Sequence, residues 1–493
     1  MTTNSFARTA APDSDVFDAV AHFEPIPAPT AKGIISPTAP TARRWCRRGA
    51  SYTNVDPAPL RERRKRIVIC TDGTWNSPST AGSRDPVPTN VWLMYQLIAA
   101  EGLDPSTGTS IPQLAYYHTG VGTGGHLDRF LGGVCGFGMS HNILDCYRFL
   151  VEHYTPGDRL YLFGFSRGAY TARSLAGLIR NAGIIDRHKH PDPKQRERLI
   201  RAAYKLYRNR AHATAPKSIR AVDFRATHAH PEVRITCIGV WDTVGSLGIP
   251  VGIAGRLSQY IFGFHDVTLG GHVDRAFHAI ALDERRGPFA PTLWEQQPDA
   301  AAKGQILEQV WFTGAHSDIG GGYRWSERGL ATLSLRWMVN RIQASTPLVF
   351  DLNALAEVPT HVCLHDSCSL MYRYLTPASR AVDIALGYTG ARDADRVTCE
   401  SIHPSVNEWA RRYQSAPMAS VNKCYTPHNV RDYESRMTEH QKWMTATAAD
   451  IACDDDYDLI GWDVPSVPAR RTAPAERSIG ITPSREPEIE TTL

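Results

Sequence analysis

From Arg66 onward, short apolar runs alternate with segments whose apolar residues recur at helical spacing. Ile67-Val68-Ile69-Cys70-Thr71 predicts a buried strand, and Asp72-Gly73-Thr74-Trp75-Asn76 follows it. Thr89-Asn90 opens a helix carrying Val91, Leu93, Met94 and Leu97. A second strand spans 114–118 and runs into the glycine-rich stretch 120–125. A helix over about 143–154 leads to a third strand, 160–163. Strand four, 233–240, ends in Trp241-Asp242-Thr243, and strand five, 276–282, ends in Asp283-Glu284-Arg285-Arg286. Strand six, 309–312, runs into Thr313-Gly314-Ala315-His316-Ser317-Asp318, and a helix over 330–342 comes after it. Continuous apolar strands alternating with helices predict an α/β fold, a doubly wound, mainly parallel sheet covered on both faces. Polar residues gather just past the strand ends, where such sheets place their sites.

The flanks lack this pattern. Residues 1–60, rich in Ala, Pro and Thr, show no period and predict a disordered N-terminal segment. The main α/β domain is expected over 61–345. An accessory part, 346–463, is less regular but carries Trp409, Tyr413 and Trp443, and a Pro-, Arg- and Glu-rich tail, 464–493, is expected to be disordered. No signal-peptide core is visible, and the most apolar window, 235–254, is broken by Asp242 and four glycines. The sequence therefore reads as cytoplasmic, without a signal peptide or a membrane-spanning helix.

Composition changes this picture little. The 493 residues are 42% hydrophobic and 21% charged, with a net charge of +4, too small to argue for nucleic acid. Ten cysteines lie singly, which favours free thiols over a disulfide framework. His361, Cys363, His365 and Cys368 form one His/Cys knot, but it lacks the paired C-x-x-C of structural zinc sites, so neither a metal nor any other cofactor is expected.

Candidate chemistry centres on Gly164-Phe165-Ser166-Arg167-Gly168, set between the third strand and a helix-forming stretch from Ala169. Strand, G-x-S-x-G, helix is the context of a nucleophile elbow, with the serine on a strained turn at the carboxyl end of the sheet. A serine nucleophile needs a histidine to take its proton and a carboxylate to hold that histidine. His316 lies after the last strand in a glycine-rich turn. Asp283 holds the commonest place for the acid, Asp242 follows the strand directly after the nucleophile, and Asp318 is too close to His316 to be the first choice. His265, His272 and His278 are the next candidates for the base. Oxyanion donors would be the Arg167 amide and that of Gly73 or Thr74.

Four long stretches, Asp-Gly-Thr-Trp-Asn (72–76), Gly-Phe-Ser-Arg-Gly-Ala-Tyr-Thr-Ala-Arg (164–173), Val-Trp-Asp-Thr-Val-Gly-Ser (240–246) and Phe-Thr-Gly-Ala-His-Ser-Asp-Ile-Gly-Gly-Gly-Tyr (312–323), carry a resemblance. They resemble an α/β-hydrolase family that includes the catalytic domains of type VI secretion phospholipase effectors. Leu282 to Arg286 and Ile402 to Val406 share it, so it covers about residues 65–410. The resemblance implies a serine esterase or lipase acting on lipid or phospholipid acyl esters, with a triad of Ser166, Asp242 and His316. It thus prefers Asp242 over Asp283, which then reads as structural, paired with Arg285 or Arg286.

Residues 186–230 form an insertion with twelve Lys or Arg against four Asp or Glu. Asp192 caps a helix with Pro193 in its first turn, Leu199, Ile200, Ala203, Leu206 and Tyr207 on one face, and Arg198, Arg201, Lys205 and Arg208 on the other. It reads either as a helix packed on the core with a solvated face, or as a cap in peripheral contact with anionic lipid, with Tyr260, Phe262 and Phe264 as an apolar wall. Two other chemistries compete. A phosphatase using Asp72 would want a second carboxylate where Thr74 stands. A non-catalytic scaffold would bind membranes or nucleic acid through 186–230.

Overall fold

The computed structural model describes residues 51–73, 87–120, 134–209, 211–244, 267–359, 362–368, 380, 382, 397–412, 427 and 429. Within them the strands are β1 (Ser51–Thr53), β2 (Arg66–Thr71), β3 (Glu101–Leu103), β4 (Ser110–His118), β5 (Arg159–Phe165), β6 (Ile235–Trp241), β7 (Arg275–Ala281), β8 (Ile306–Phe312) and β9 (Glu400–Ile402). The α-helices are α1 (Asn90–Leu97), α2 (Val134–His153), α3 (Arg167–Ala182), α4 (Pro193–Arg208), α5 (Ile219–His228), α6 (Pro298–Ala302), α7 (His316–Gly320), α8 (Gly329–Ser345), α9 (Leu352–Ala356) and α10 (Pro404–Arg412).

All nine strands join one sheet in the order β1-β4-β2-β5-β6-β7-β8-β9, with β3 also on β4. Pairing is parallel from β4 through β9, whereas β1 and β3 meet β4 antiparallel. The fold is α/β-hydrolase-like. Every residue of β2 is buried, as continuous apolar strands covered on both faces require. The face under α2 and α3 is filled by Ile67, Ile69, Leu160, Leu162, Ile238 and Val240 from the sheet against Tyr147, Leu150, Leu175 and Leu178.

The main strands and helices lie where the apolar pattern puts them, and Thr89 caps α1 by accepting the Trp92 amide. Residues 51–60, assigned by pattern to the N-terminal tail, are instead built into the fold. Ser51–Thr53 pairs with Tyr116 to His118, and the Asn54 side chain bridges Gln113 O and Ala115 N at 3.0 and 2.8 Å. Strands of three residues carry too little period to read, so β1, β3 and β9 emerge only through their partners. Part of the 346–463 region is also integral, since β9 extends the sheet beyond β8 and Trp409 of α10 packs on Leu330 and Leu364.

Helix α4 begins as its sequence implies, with the Asp192 carboxylate accepting the Lys194 and Gln195 amides ahead of Pro193. Ile200 and Ala203 are buried against the helical layer. Arg148 of α2 forks onto Glu197, Tyr204 Oη bonds Ser140 Oγ at 2.8 Å, and Gly177 of α3 gives room to the Tyr207 ring. The insertion helix thus lies outside α2 and α3, flanking them. Tyr260, Phe262 and Phe264, residues 121–125 and both expected tails (1–50 and 464–493) lie outside the described residues.

Candidate active site

Ser166 stands between β5 and α3 with φ 57° and ψ −120°, a conformation costing a non-glycine residue about 1–3 kcal/mol. Several contacts hold it there. Its amide donates to Trp241 O at 3.1 Å, and its carbonyl accepts the Tyr170 amide at 3.2 Å. The flanking glycines are required by close approach. A Cβ on Gly168 would sit 2.0 Å from Thr71 O, and one on Gly164 would sit 2.5 Å from Gly168 O. The Thr71 hydroxyl, 3.0 Å from Phe163 O and 2.8 Å from Gly168 O, ties β2, β5 and α3 together at this crossing.

The sheet register brings Asp242 beside Ser166. Phe165 pairs with Trp241, so Ser166 and Asp242 are the next residues on neighbouring parallel strands. Asp242, also at positive φ (38°), is fully buried. Its Oδ1 accepts the Ala281 amide at 3.0 Å, and its Oδ2 lies 2.5 Å from His316 Nδ1. Both oxygens also accept from Arg380, Oδ1 from Nη1 at 2.6 Å and Oδ2 from Nη2 at 3.0 Å. Burial alone would raise this carboxyl, but the Arg380 charge and the His316 contact outweigh it and hold it well below the usual carboxylate range.

His316 opens α7, four residues past the end of β8, after Gly314 turns the chain at φ 124°. Its ring is set between Phe165, 4.6 Å away, and Phe289, edge-on at 5.1 Å. A proton on Nδ1 serves Asp242 and leaves Nε2 as the basic nitrogen. The backbone is pinned as well. The His316 amide donates to Glu284 Oε2 at 3.2 Å, and Asp318 Oδ2 accepts the Ala315 amide at 3.0 Å. Asn90 reaches from α1 to donate to Ile319 O at 2.9 Å and Ala331 O at 2.7 Å, while Arg328 donates to its Oδ1 at 2.6 Å.

Of the expected oxyanion donors, Arg167 opens α3, where first-turn amides lie outside the intrahelical ladder and carry the positive end of the helix dipole. The Gly73 amide donates to Asp72 Oδ1 at 2.6 Å, and Thr74 lies outside the described residues. Asp72 is buried and also accepts from Tyr117 Oη at 2.7 Å and Thr89 Oγ1 at 2.5 Å, so its carboxylate anchors the start of the loop.

The other candidates fall elsewhere. Asp283 accepts the Gly314 amide at 2.7 Å, and of its two expected partners, Arg285 and Arg286, the second forks onto Glu284 through Nε and Nη2. Asp318 faces His365 Nδ1 at 2.7 Å. His278 sits behind Asp242, its Nε2 accepting the Thr243 amide at 3.1 Å, and burial depresses it to about 3. His272 bonds Ala176 O at 3.0 Å and is likewise depressed by burial, to about 4. His265 lies outside the described residues. In the His/Cys knot, His365 is engaged by Asp318, His361 lies outside the described residues, and no metal-holding cluster occurs among the described residues. Six described cysteines stand outside any disulfide. Arg380, Glu284 and Asn90 were missed in the sequence. Glu284 alone had a signal, its place in the polar run after strand five.

The model of the catalytic domain of Tle1-like type VI secretion phospholipase effectors matches residues 65–341, more than half of the chain. The chain belongs to that family. The match runs from the end of the basic segment before β2 into α8 and takes in Ser166, Asp242 and His316. The chain is also 29% identical over 266 residues to the uncharacterized protein YEL023C of Saccharomyces cerevisiae, covering 50% of this chain and 35% of that one. It thus spans about a third of that relative's length. Among solved structures, an uncharacterized Pseudomonas aeruginosa protein aligns at 17% identity with a TM-score of 0.36, covering 59% of this chain and 47% of that one. The Tle1 effector bound to the VgrG spike aligns at 18% and 0.28, covering 54% and 52%. Esterase 2 of Thermogutta terrifontis aligns at 12% and 0.30, covering 61% and 90%. The family match carries the assignment, not these structures. No described helix of this Tle1-like chain is long and apolar enough to cross a membrane.

Proposed function

We propose that the protein is a serine hydrolase that cleaves carboxylic esters, with lipid or phospholipid acyl esters as substrates. The contact between His316 Nδ1 and Asp242 Oδ2 at 2.5 Å, beside a serine on a strand-to-helix elbow, is the observation that carries this reading. Ser166 Oγ attacks the ester carbonyl as His316 Nε2 takes its proton, and Asp242 stabilises the imidazolium that forms. Charge on the carbonyl oxygen is met by the Arg167 amide and by that of Thr74, or of Gly73 once it leaves Asp72. His316 returns the proton to the leaving alcohol, giving an acyl-Ser166. Water then enters with His316 as base and releases the acid. Nothing in this sequence calls for a cofactor or metal.

The lipid substrate class comes from the family, and the exposed basic side of α4 supports contact with anionic headgroups. The test is labelling by a fluorophosphonate, which should add once, at Ser166, and abolish hydrolysis of a nitrophenyl ester. Labelling that survives Ser166→Ala would place the nucleophile elsewhere.

A further inference from the structure

Asp242 is held by more than the histidine that it orients. Arg380 is buried beside it, and its terminal nitrogens point at two acceptors each. Nη1 donates to Asp242 Oδ1 and Ala281 O, both at 2.6 Å, while Nη2 donates to Asp242 Oδ2 at 3.0 Å and Phe289 O at 2.5 Å. Those carbonyls belong to the last residue of β7 and to the residue whose ring packs edge-on against His316. One planar fork thus joins the acid, the strand beside it and the wall of the histidine. Arg380 lies beyond residues 65–341, the span shared with the family, so the contact comes from the accessory part of the chain.

We infer that Arg380 is a positioning residue of the hydrolytic site, supplied by the accessory region to hold Asp242 ionised and in the rotamer that meets His316. The inference rests on the Ser166–Asp242–His316 reading. Two features make such a clamp necessary. Asp242 is fully buried at a positive φ that a non-glycine residue adopts only when its surroundings over-determine it. A carboxylate without solvent also needs a counter-charge. The guanidinium supplies charge and geometry together, which an ammonium cannot, because only the fork matches both oxygens. Among the described residues few charged or titratable groups surround the acid, and one of them is Arg173, buried and close enough to His278 to depress it further. His316 comes from α7, His278 from β7 stays neutral, and Glu284, which faces the His316 amide, is neutralised by Arg286. Arg380 is thus a buried cation in direct contact with the Asp242 carboxylate. Removing the guanidinium takes a positive charge from beside the Asp242–His316 contact, so the acid limb of the reaction moves upward in pH.

The experiment measures kcat and KM for a soluble nitrophenyl ester across pH, on full-length wild type, Arg380→Gln and Arg380→Lys, with far-UV circular dichroism as a check on folding. Arg380→Gln should raise the acid limb of kcat/KM by about one pH unit or more. Arg380→Lys should leave that limb where wild type has it and lower kcat about tenfold to a hundredfold at unchanged KM, because charge is kept and the fork is lost. A folded Arg380→Gln protein with the wild-type limb overturns the inference. Should Arg380→Gln not fold, Arg380→Lys decides, and wild-type kcat in that variant shows the fork to be dispensable. Fluorophosphonate labelling of wild type separates the two readings. Absence of an adduct at Ser166 removes the triad itself, whereas an adduct with an unmoved limb in Arg380→Gln removes only the role of Arg380.

Discussion

Asp242 Oδ2 and His316 Nδ1 lie 2.5 Å apart although 74 residues separate them in the chain. The parallel register produces this meeting. Asp242 leaves β6 beside Ser166, and His316 returns from β8, two strands further on, over the end of β7. Any hydrolytic role for Ser166 depends on that relationship, and it can be broken one side chain at a time.

Replacing His316 by Ala should lower kcat by about three to six orders of magnitude while leaving circular dichroism unchanged, since the imidazole is the proposed base. Steady-state hydrolysis of a nitrophenyl ester reads this directly. Near-normal turnover would move the base to another residue, with His265 first to test.

Asp242→Asn should cost about four orders of magnitude in kcat by fixing the wrong tautomer of His316. Asp283→Ala, by contrast, removes an acceptor for the Gly314 amide and should lower unfolding free energy by about 1–3 kcal/mol without abolishing turnover. Denaturant titration beside kinetics separates the two. A stable, inactive Asp283→Ala protein would make Asp283 the acid.

Acid should destabilise the fold well above carboxylate pH. Burial depresses His153 and His272 to about 4, and His278 and His403 to about 3. Each is neutral when folded but takes a proton when unfolded below about 6.5, so the unfolded state binds more protons and stability falls as pH drops from there toward 3–4. Four such groups give at most about 5–6 kcal/mol per pH unit, at 1.4 for each proton. Urea unfolding at pH 7, 6, 5 and 4.5 measures the slope, and His403→Gln should reduce it by about one proton. A flat profile over this range would show these rings to be protonated in the fold.

The basic face of α4 should matter for bilayers and not for soluble esters. Changing Arg198, Arg201, Lys205 and Arg208 together to Gln should weaken hydrolysis of anionic vesicles, by about 1 kcal/mol for each charge near the surface and less at high salt. Pairing with Glu197 at 2.9 Å should reduce the share contributed by Arg201. Nitrophenyl ester turnover should stay unchanged. Equal losses on both substrates would mark α4 as a packing helix, in keeping with Ile200 and Ala203 buried on the α2–α3 flank.

What the sequence determined by itself is the local part of this protein. The apolar run of β2, the strand–turn–helix around Ser166, the Thr89 and Asp192 caps and the glycine-rich turn before α7 are all short-range patterns, set by burial period and backbone sterics. Strand order and the choice of acid were less legible. Asp242 and Asp283 both follow strands, and only the register of β5, β6 and β8 puts the first against His316 and the second on the Gly314 amide. Tertiary structure alone decided that Arg380, 138 residues from Asp242, forks onto its carboxylate, that Asn90 holds the helix behind His316, and that three-residue strands close the sheet edges. These contacts are made between segments that share no period and no spacing. The free energy that selects them, desolvation of a buried carboxylate set against one well-placed guanidinium, arises only when the chain has closed around both.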